Sequence, residues 1–180
     1  MPEPMRITPR ETLEVLEATP DLLVLEARYA PRGERPPAHL HPAQDERFEI
    51  LEGILRVRIA GEERDVRAGE TLSVPRGTAH CMWNPRDEPV RARWETRPAG
   101  RTEQWFRALA ALQRTRYVDA SGRPRPLPFA ALAREFRDTF ELAAGPRPVA
   151  RAAVAALALA ARLLRQAPAP TSAPAARERG

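Results

Sequence analysis

Apolar positions in the first hundred residues fall in short runs separated by turn residues. Leu22 to Leu25 is one run, which Glu26-Ala27-Arg28-Tyr29 extends and Pro31-Arg32-Gly33 breaks. Phe48-Glu49-Ile50-Leu51 leads into Gly53, and Ile54 to Ile59 follows with partial period-two alternation. Ala60-Gly61-Glu62-Glu63 reads as a hairpin turn. Arg64-Asp65-Val66 then runs on to Ala68-Gly69-Glu70, and Thr71 to Val74 stops at Pro75-Arg76-Gly77. Ala79 to Trp83 and Val90 to Thr96 complete the set. Short strands at near-regular spacing predict an all-β sandwich or barrel over residues 1–100.

The period changes near residue 101. Trp105, Phe106, Leu109 and Leu112 recur at helical spacing. After a Gly/Pro/Arg connection from Tyr117 to Pro128, the residues Phe129, Leu132, Ala133, Phe136 and Phe140 predict a second helix. Gly145-Pro146-Arg147-Pro148 ends it and starts a third, with Pro148 in a first-turn position. That third helix, Val149 to Leu164, is alanine-rich. Its unbroken apolar stretch, 152–161, is half the roughly 20 residues that a membrane span needs. A helix packed on the fold is the preferred reading, and a helix lying on a membrane surface the alternative. Residues 101–166 thus form a helical extension, and 167–180, rich in Pro, Ala and Ser, read as a disordered tail.

Composition narrows the function. Cys81 stands alone, which excludes an internal disulfide framework and a cysteine-based zinc cluster. All 29 basic residues are arginine, and the net charge is +5. Residues 1–100 carry 15 arginines against 18 acids, whereas 101–165 carry 12 against 5. A basic face can draw nucleic acid or anionic lipid, but a solvated face or an acidic neighbour is the preferred reading. The start, MPEPMRITPRE, has no apolar signal region, so the expected location is cytoplasmic.

All three histidines fall in two strings. Gly33 is followed by His39, His41, Glu46 and Gly53, and Gly69 by Pro75, Gly77, His80 and Asn84. In a strand, His39 and His41 point to the same side while Leu40 faces the other. Two imidazoles, a carboxylate from the next strand and an imidazole from a later one can surround one cation. Imidazole suits Zn, Cu, Fe or Ni, and a carboxylate extends the range towards Fe(II) and Mn(II). Such a set leaves coordination positions open, as catalytic sites do. Asp45 can replace Glu46 if the strand bulges. By alternation Cys81 faces away from His80, Met82 shares the face of His80, and Phe48 and Ile50 share that of Glu46. Met82, Phe48 and Ile50 are candidate pocket-lining residues, with plain core as the alternative. Asn84 reads as a turn residue, and Gly33, Gly53, Gly69 and Gly77 as turn devices permitting positive φ.

The two strings resemble the paired motifs of the cupin superfamily, as Gly33…His39-Leu40-His41…Glu46…Gly53 and Gly69…Pro75-Arg76-Gly77…His80…Asn84. The resemblance covers residues 20–97, and the short gap between Gly53 and Gly69 is similar to that of small single-domain bacterial cupins. "RPAGRTEQWF" and "LAREFRD" resemble a helical extension carried by one group of them, which adds an architecture but no substrate. The resemblance implies a mainly β fold, an antiparallel jelly-roll barrel, followed here by the α-helical extension. It also implies that His39, His41, Glu46 and His80 hold one divalent transition metal, Fe, Mn, Ni or Zn. Small cupins commonly dimerise, so a homodimer is expected, with the extension over an outer face, the barrel mouth or a second subunit. Three functions follow: a metal-dependent oxygenase or isomerase acting on a small organic molecule, with Glu46 as candidate general base; a cupin that binds a small ligand or metal without turnover; and a scaffold using the basic helices.

Overall fold

The structure, a computed structural model, describes residues 3–119 and 121–168. The tail expected to be disordered lies outside the described residues from 169 onward. Ten strands occupy the first hundred residues: β1 (Met5–Thr8), β2 (Glu11–Ala18), β3 (Leu23–Tyr29), β4 (His39–Leu40), β5 (Asp45–Glu52), β6 (Ile54–Ile59), β7 (Glu62–Arg67), β8 (Thr71–Val74), β9 (His80–Trp83) and β10 (Val90–Arg97). They build two antiparallel sheets, β1-β2-β3-β10-β5-β8 and β4-β9-β6-β7, closed face to face as a jelly-roll barrel. Alternation fixes what faces inward. On β5, Glu46, Phe48 and Ile50 are buried, and opposite them on β10 lie Thr96, Trp94 and Ala92. Leu55 and Val57 of β6 and Val66 of β7 close the core from the other sheet. The hairpin at Ala60-Gly61 forms with both residues at positive φ, as a two-residue turn requires.

β1 and β2 have no counterpart in the sequence reading. On β2 only Leu13 is fully buried, so ETLEVLEA shows too few core positions to declare a strand.

Two motif residues, Gly33 and Asn84, staple the strings together. The Gly33 N–H donates to the Asn84 carbonyl at 2.7 Å, and a Cβ at Gly33 would sit 3.3 Å from that oxygen. Close approach, rather than the positive φ expected there, is therefore what this glycine supplies. The Asn84 amide donates to the carbonyls of Tyr29, Ala30 and Glu88, which makes it the turn residue anticipated. Gly53 does need its positive φ, +78°, and a Cβ there would lie 2.5 Å from the Pro89 carbonyl.

The extension contributes α1 (Thr102–Leu112), α2 (Pro126–Glu135), a strand β11 (Glu141–Leu142) and α3 (Arg147–Leu163). α1 buries Trp105, Phe106 and Leu109 in the same core as the barrel, with Phe106 edge-on to Trp94 at 5.0 Å. α2 stops before Phe136, so Phe140 is not on the second helix as its spacing suggested. The chain turns at Phe136, whose carbonyl accepts from the N–H groups of Thr139 and Phe140. It then enters β11, which pairs with β4. The gain is a stack of Phe140 on Trp105 at 4.4 Å, which a continuing helix would forgo. α3 packs against α2 through Ala150, Ala158 and Ala161 and leaves Leu157, Leu159 and Leu163 exposed. Among the described residues no helix is long and apolar enough to cross a membrane.

Glu11 opens β2 opposite Tyr29, and burial pushes its carboxyl up to about 7 from 4.5. A carboxyl that binds its proton more tightly when folded contributes full stability below about 4.5 and loses it as pH rises to about 7. The whole shift corresponds to roughly 3 kcal/mol. Glu11 keeps partial exposure, so about 1–2 kcal/mol is expected. Urea titration should find Glu11→Gln more stable than wild type by that amount at pH 8 and nearly equal at pH 4.5. An equal difference at both pH values would contradict this.

Candidate metal centre

The two sheets bring the predicted set together at one end of the barrel. His39 lies on β4 directly opposite His80 on β9, and His41 follows β4 by one residue. One nitrogen from each of His39, His41 and His80 lies within 4.8 Å of the other two. Glu46, on β5, reaches in from the facing sheet. Its Oε1 is 3.2 Å from His41 Nε2 and its Oε2 is 3.0 Å from His80 Nε2. His41, His80 and Glu46 are all 3% exposed or less, and His39 is part-exposed. Glu46 rather than Asp45 turns inward. Asp45 is on the outer face, accepting from the Arg76 main chain at 2.8 Å and its guanidinium at 2.5 Å.

Backbone carbonyls set the imidazole orientations. His41 Nδ1 is 2.6 Å from the Thr139 carbonyl and His80 Nδ1 is 2.9 Å from the Thr78 carbonyl. A carbonyl only accepts, so each Nδ1 carries the proton and each Nε2 is left with a lone pair when the ring is neutral. Both lone pairs face a carboxylate, which also only accepts. Acceptor against acceptor at 3.0–3.2 Å in a dry interior is repulsive unless a cation or a proton lies between them. His41 Nε2 has no hydrogen-bond partner, and Glu46 Oε2 meets His80 without hydrogen-bond alignment.

A divalent ion fits this donor set. Donors 2.0–2.2 Å from an ion and at right angles to one another lie about 3 Å apart, the spacing of Glu46 from His41 and from His80, while the three histidine nitrogens lie within 4.8 Å of one another. Burial opposes charge on His80, but the Glu46 carboxylate beside its Nε2 outweighs burial and raises its pKa. Burial lowers His41 and lowers His39 well below the usual range, the latter helped by the neighbouring imidazoles, so both favour the neutral form that metals bind.

The candidate pocket residues differ in what they do. Phe48 packs tilted against Trp94 with ring centres 5.0 Å apart and Ile50 is 1% exposed, so both are packed core. Met82 pairs with Val57 and packs part-buried on the same core. A cavity of ≈ 850 Å³ opens elsewhere, between α2 and α3, lined by Arg101, Arg134, Arg137 and Arg162, and none of the four clustered residues lines it.

Three contributors escape the sequence reading. Trp94 donates its indole N–H to Glu46 Oε1 at 3.1 Å. On β10 alternation turns Trp94 inward, and the register with β5 brings it to Glu46. Thr139 and Phe140, which touch His41 and His39, lie about a hundred residues downstream, where no spacing rule connects them to the motifs.

A family model described as "Cupin domain" matches residues 25–94, the stretch from β3 to β10 that holds all four residues. The chain carries a cupin domain. Oxalate oxidase 1 from Hordeum vulgare is 41% identical over 64 residues, 31% of this chain and 31% of that protein. Tetracenomycin polyketide synthase protein TcmJ from Streptomyces glaucescens is 36% identical over 66 residues, 37% of this chain and 44% of that one. The chain thus spans less than half the length of the curated relatives it matches. Among solved structures, an RmlC-like cupin from Shewanella frigidimarina is 20% identical with a TM-score of 0.49, over 54% of this chain and 84% of that one.

Trp94→Phe keeps the ring in the cupin core while deleting the donor to Glu46. A hydrogen bond to a charged group contributes about 1.5–3 kcal/mol. Urea denaturation should show a loss in that range, and a loss under about 0.5 kcal/mol would mean that the indole does not hold the carboxylate.

Proposed function

We propose that the cupin domain holds one divalent first-row metal, Fe, Mn, Ni or Zn, on His39, His41, Glu46 and His80. In this reading it converts a small oxygen-bearing organic molecule in an oxygenase- or isomerase-type reaction. The observation that carries the proposal is the pair of imidazole lone pairs facing one buried carboxylate. Such an ion, when bound, polarises carbonyl oxygens or binds a bidentate organic ligand together with O₂. The chain's own residues hold and orient it. His41 and His80 are fixed by main-chain carbonyls, Trp94 holds one Glu46 oxygen, and the apolar core keeps water from the far side. His39 is the part-exposed member of the four.

Residues 1–100 are read as the metal-binding barrel, 101–166 as the extension that covers it, and the protein as a cytoplasmic homodimer. A second reading, binding without turnover, draws on the same carboxylate. Glu46 meets Trp94 and two imidazoles, which restrains it as the general base. No other histidine is present in the sequence, and there is no lysine.

Metal analysis of the purified protein should give about one ion per chain, lost in His39→Ala and His80→Ala. Protein that stays metal-free when supplied with Fe(II), Mn(II), Ni(II) and Zn(II) contradicts the site. Turnover would then be compared with and without air on diketones, flavonols and catechols, adding oxalate and a polyketide because of the two curated relatives. Product formation supports the enzyme, and silence across the panel supports the binding module.

A further inference from the structure

The histidines of the site are held by the extension as well as by the barrel. β11 adds to the edge of β4, with Glu141 opposite Leu40 and Leu142 opposite His39, and the Ala143 N–H donates to the Ala38 carbonyl at 2.9 Å. This pairing carries Thr139 and Phe140 against the two imidazoles of the first motif. The Thr139 carbonyl takes the His41 Nδ1 proton at 2.6 Å. The Phe140 ring lies nearly parallel to His39 at 5.0 Å, with its other contacts on Trp105 and Phe129. An aromatic column therefore runs from His39 into the helical core.

A two-residue strand is too short to hold itself. What fixes it is Glu141, 8% exposed, between two guanidinium groups of α3. Arg147 reaches its two oxygens at 3.2 Å each, and Arg151 at 2.5 and 3.1 Å. Burial opposes the charge on Glu141, yet the two arginines hold the carboxyl below its ordinary range. Paired two-point contacts of this kind are directional, so they set position as well as attraction.

We infer that the segment Thr139–Leu142 is a clamp that orients His41 and covers His39 for metal binding, held in place by Glu141 between Arg147 and Arg151. Glu141, Phe140, Arg147 and Arg151 are positioning residues, because none faces the ion with a donor atom. Residues that orient a ligating histidine alter metal affinity by about 10–100-fold when changed. The inference rests on the metal reading of the four-residue site.

The test titrates Co(II) alone into full-length protein and records affinity, the visible Co(II) spectrum and the metal-free melting temperature. Glu141→Gln should weaken Co(II) about 10–100-fold. It should also change the spectrum as one nitrogen donor loosens, with the metal-free melting temperature nearly unmoved. Arg147→Gln combined with Arg151→Gln removes the same pairing from side chains that are 48% and 60% exposed, and should reproduce the loss. Phe140→Leu, which keeps apolar cover over His39, should bind more tightly than Phe140→Ala. Unchanged Co(II) affinity and spectrum in the Glu141 and double-arginine variants, with tight wild-type binding, would sink the clamp alone. So would an affinity loss that only tracks a collapse of the metal-free melting temperature. Wild-type protein that binds no Co(II) would remove the metal site itself.

Discussion

A carboxylate buried against two imidazole lone pairs is the constraint on which the rest of this molecule turns. Leaving one partner of a buried charged pair uncompensated costs about 3–5 kcal/mol, so a cation or a proton beside Glu46 stabilises its place between the two imidazoles. The fold supplies every other contact to that carboxylate. Register between β5 and β10 sets Trp94 within reach of one oxygen, and the facing sheet brings His80 to the other. The main-chain carbonyls of Thr78 and Thr139 then settle which ring nitrogens point at it. The three histidines gathered there could hold a metal ion.

The barrel and the extension share this arrangement. Trp94 touches Glu46 through its indole nitrogen, and its rings meet Phe48 on one side and Phe106 of α1 on the other. Phe140 joins His39 to Trp105. The apolar core of the helices is thus continuous with the apolar wall of the site, and a change in one is felt in the other because packed interiors transmit strain.

Much of this was legible in the chain. Alternation around Phe48 and Ile50, and turn residues at Gly53 and Ala60-Gly61, carry the strands from β3 to β10. Period-two geometry accounts for His39 and His41 turning to one side, and the resemblance of the two motif strings is what added Glu46 and His80, which come from other strands. β1 and β2 were not legible, since their few inward residues do not form a run. The fate of Phe140 was also hidden. Its distance from Phe136 fits a helix, and only the tertiary partners Trp105 and His39 take it elsewhere. Glu141, with two arginines that follow it on α3, shows in sequence as one acid in a basic stretch. That it is nearly buried, and holds a strand at the edge of β4, depends on pairing across a hundred residues.

Crystals grown with Co(II), with anomalous scattering recorded at the cobalt absorption edge, address the central claim most directly. The account predicts a single strong peak in the barrel, about 2.0–2.2 Å from one nitrogen each of His39, His41 and His80 and from a Glu46 oxygen. Cobalt bound elsewhere on the chain, with Glu46 still facing two imidazoles and no peak between them, would contradict it.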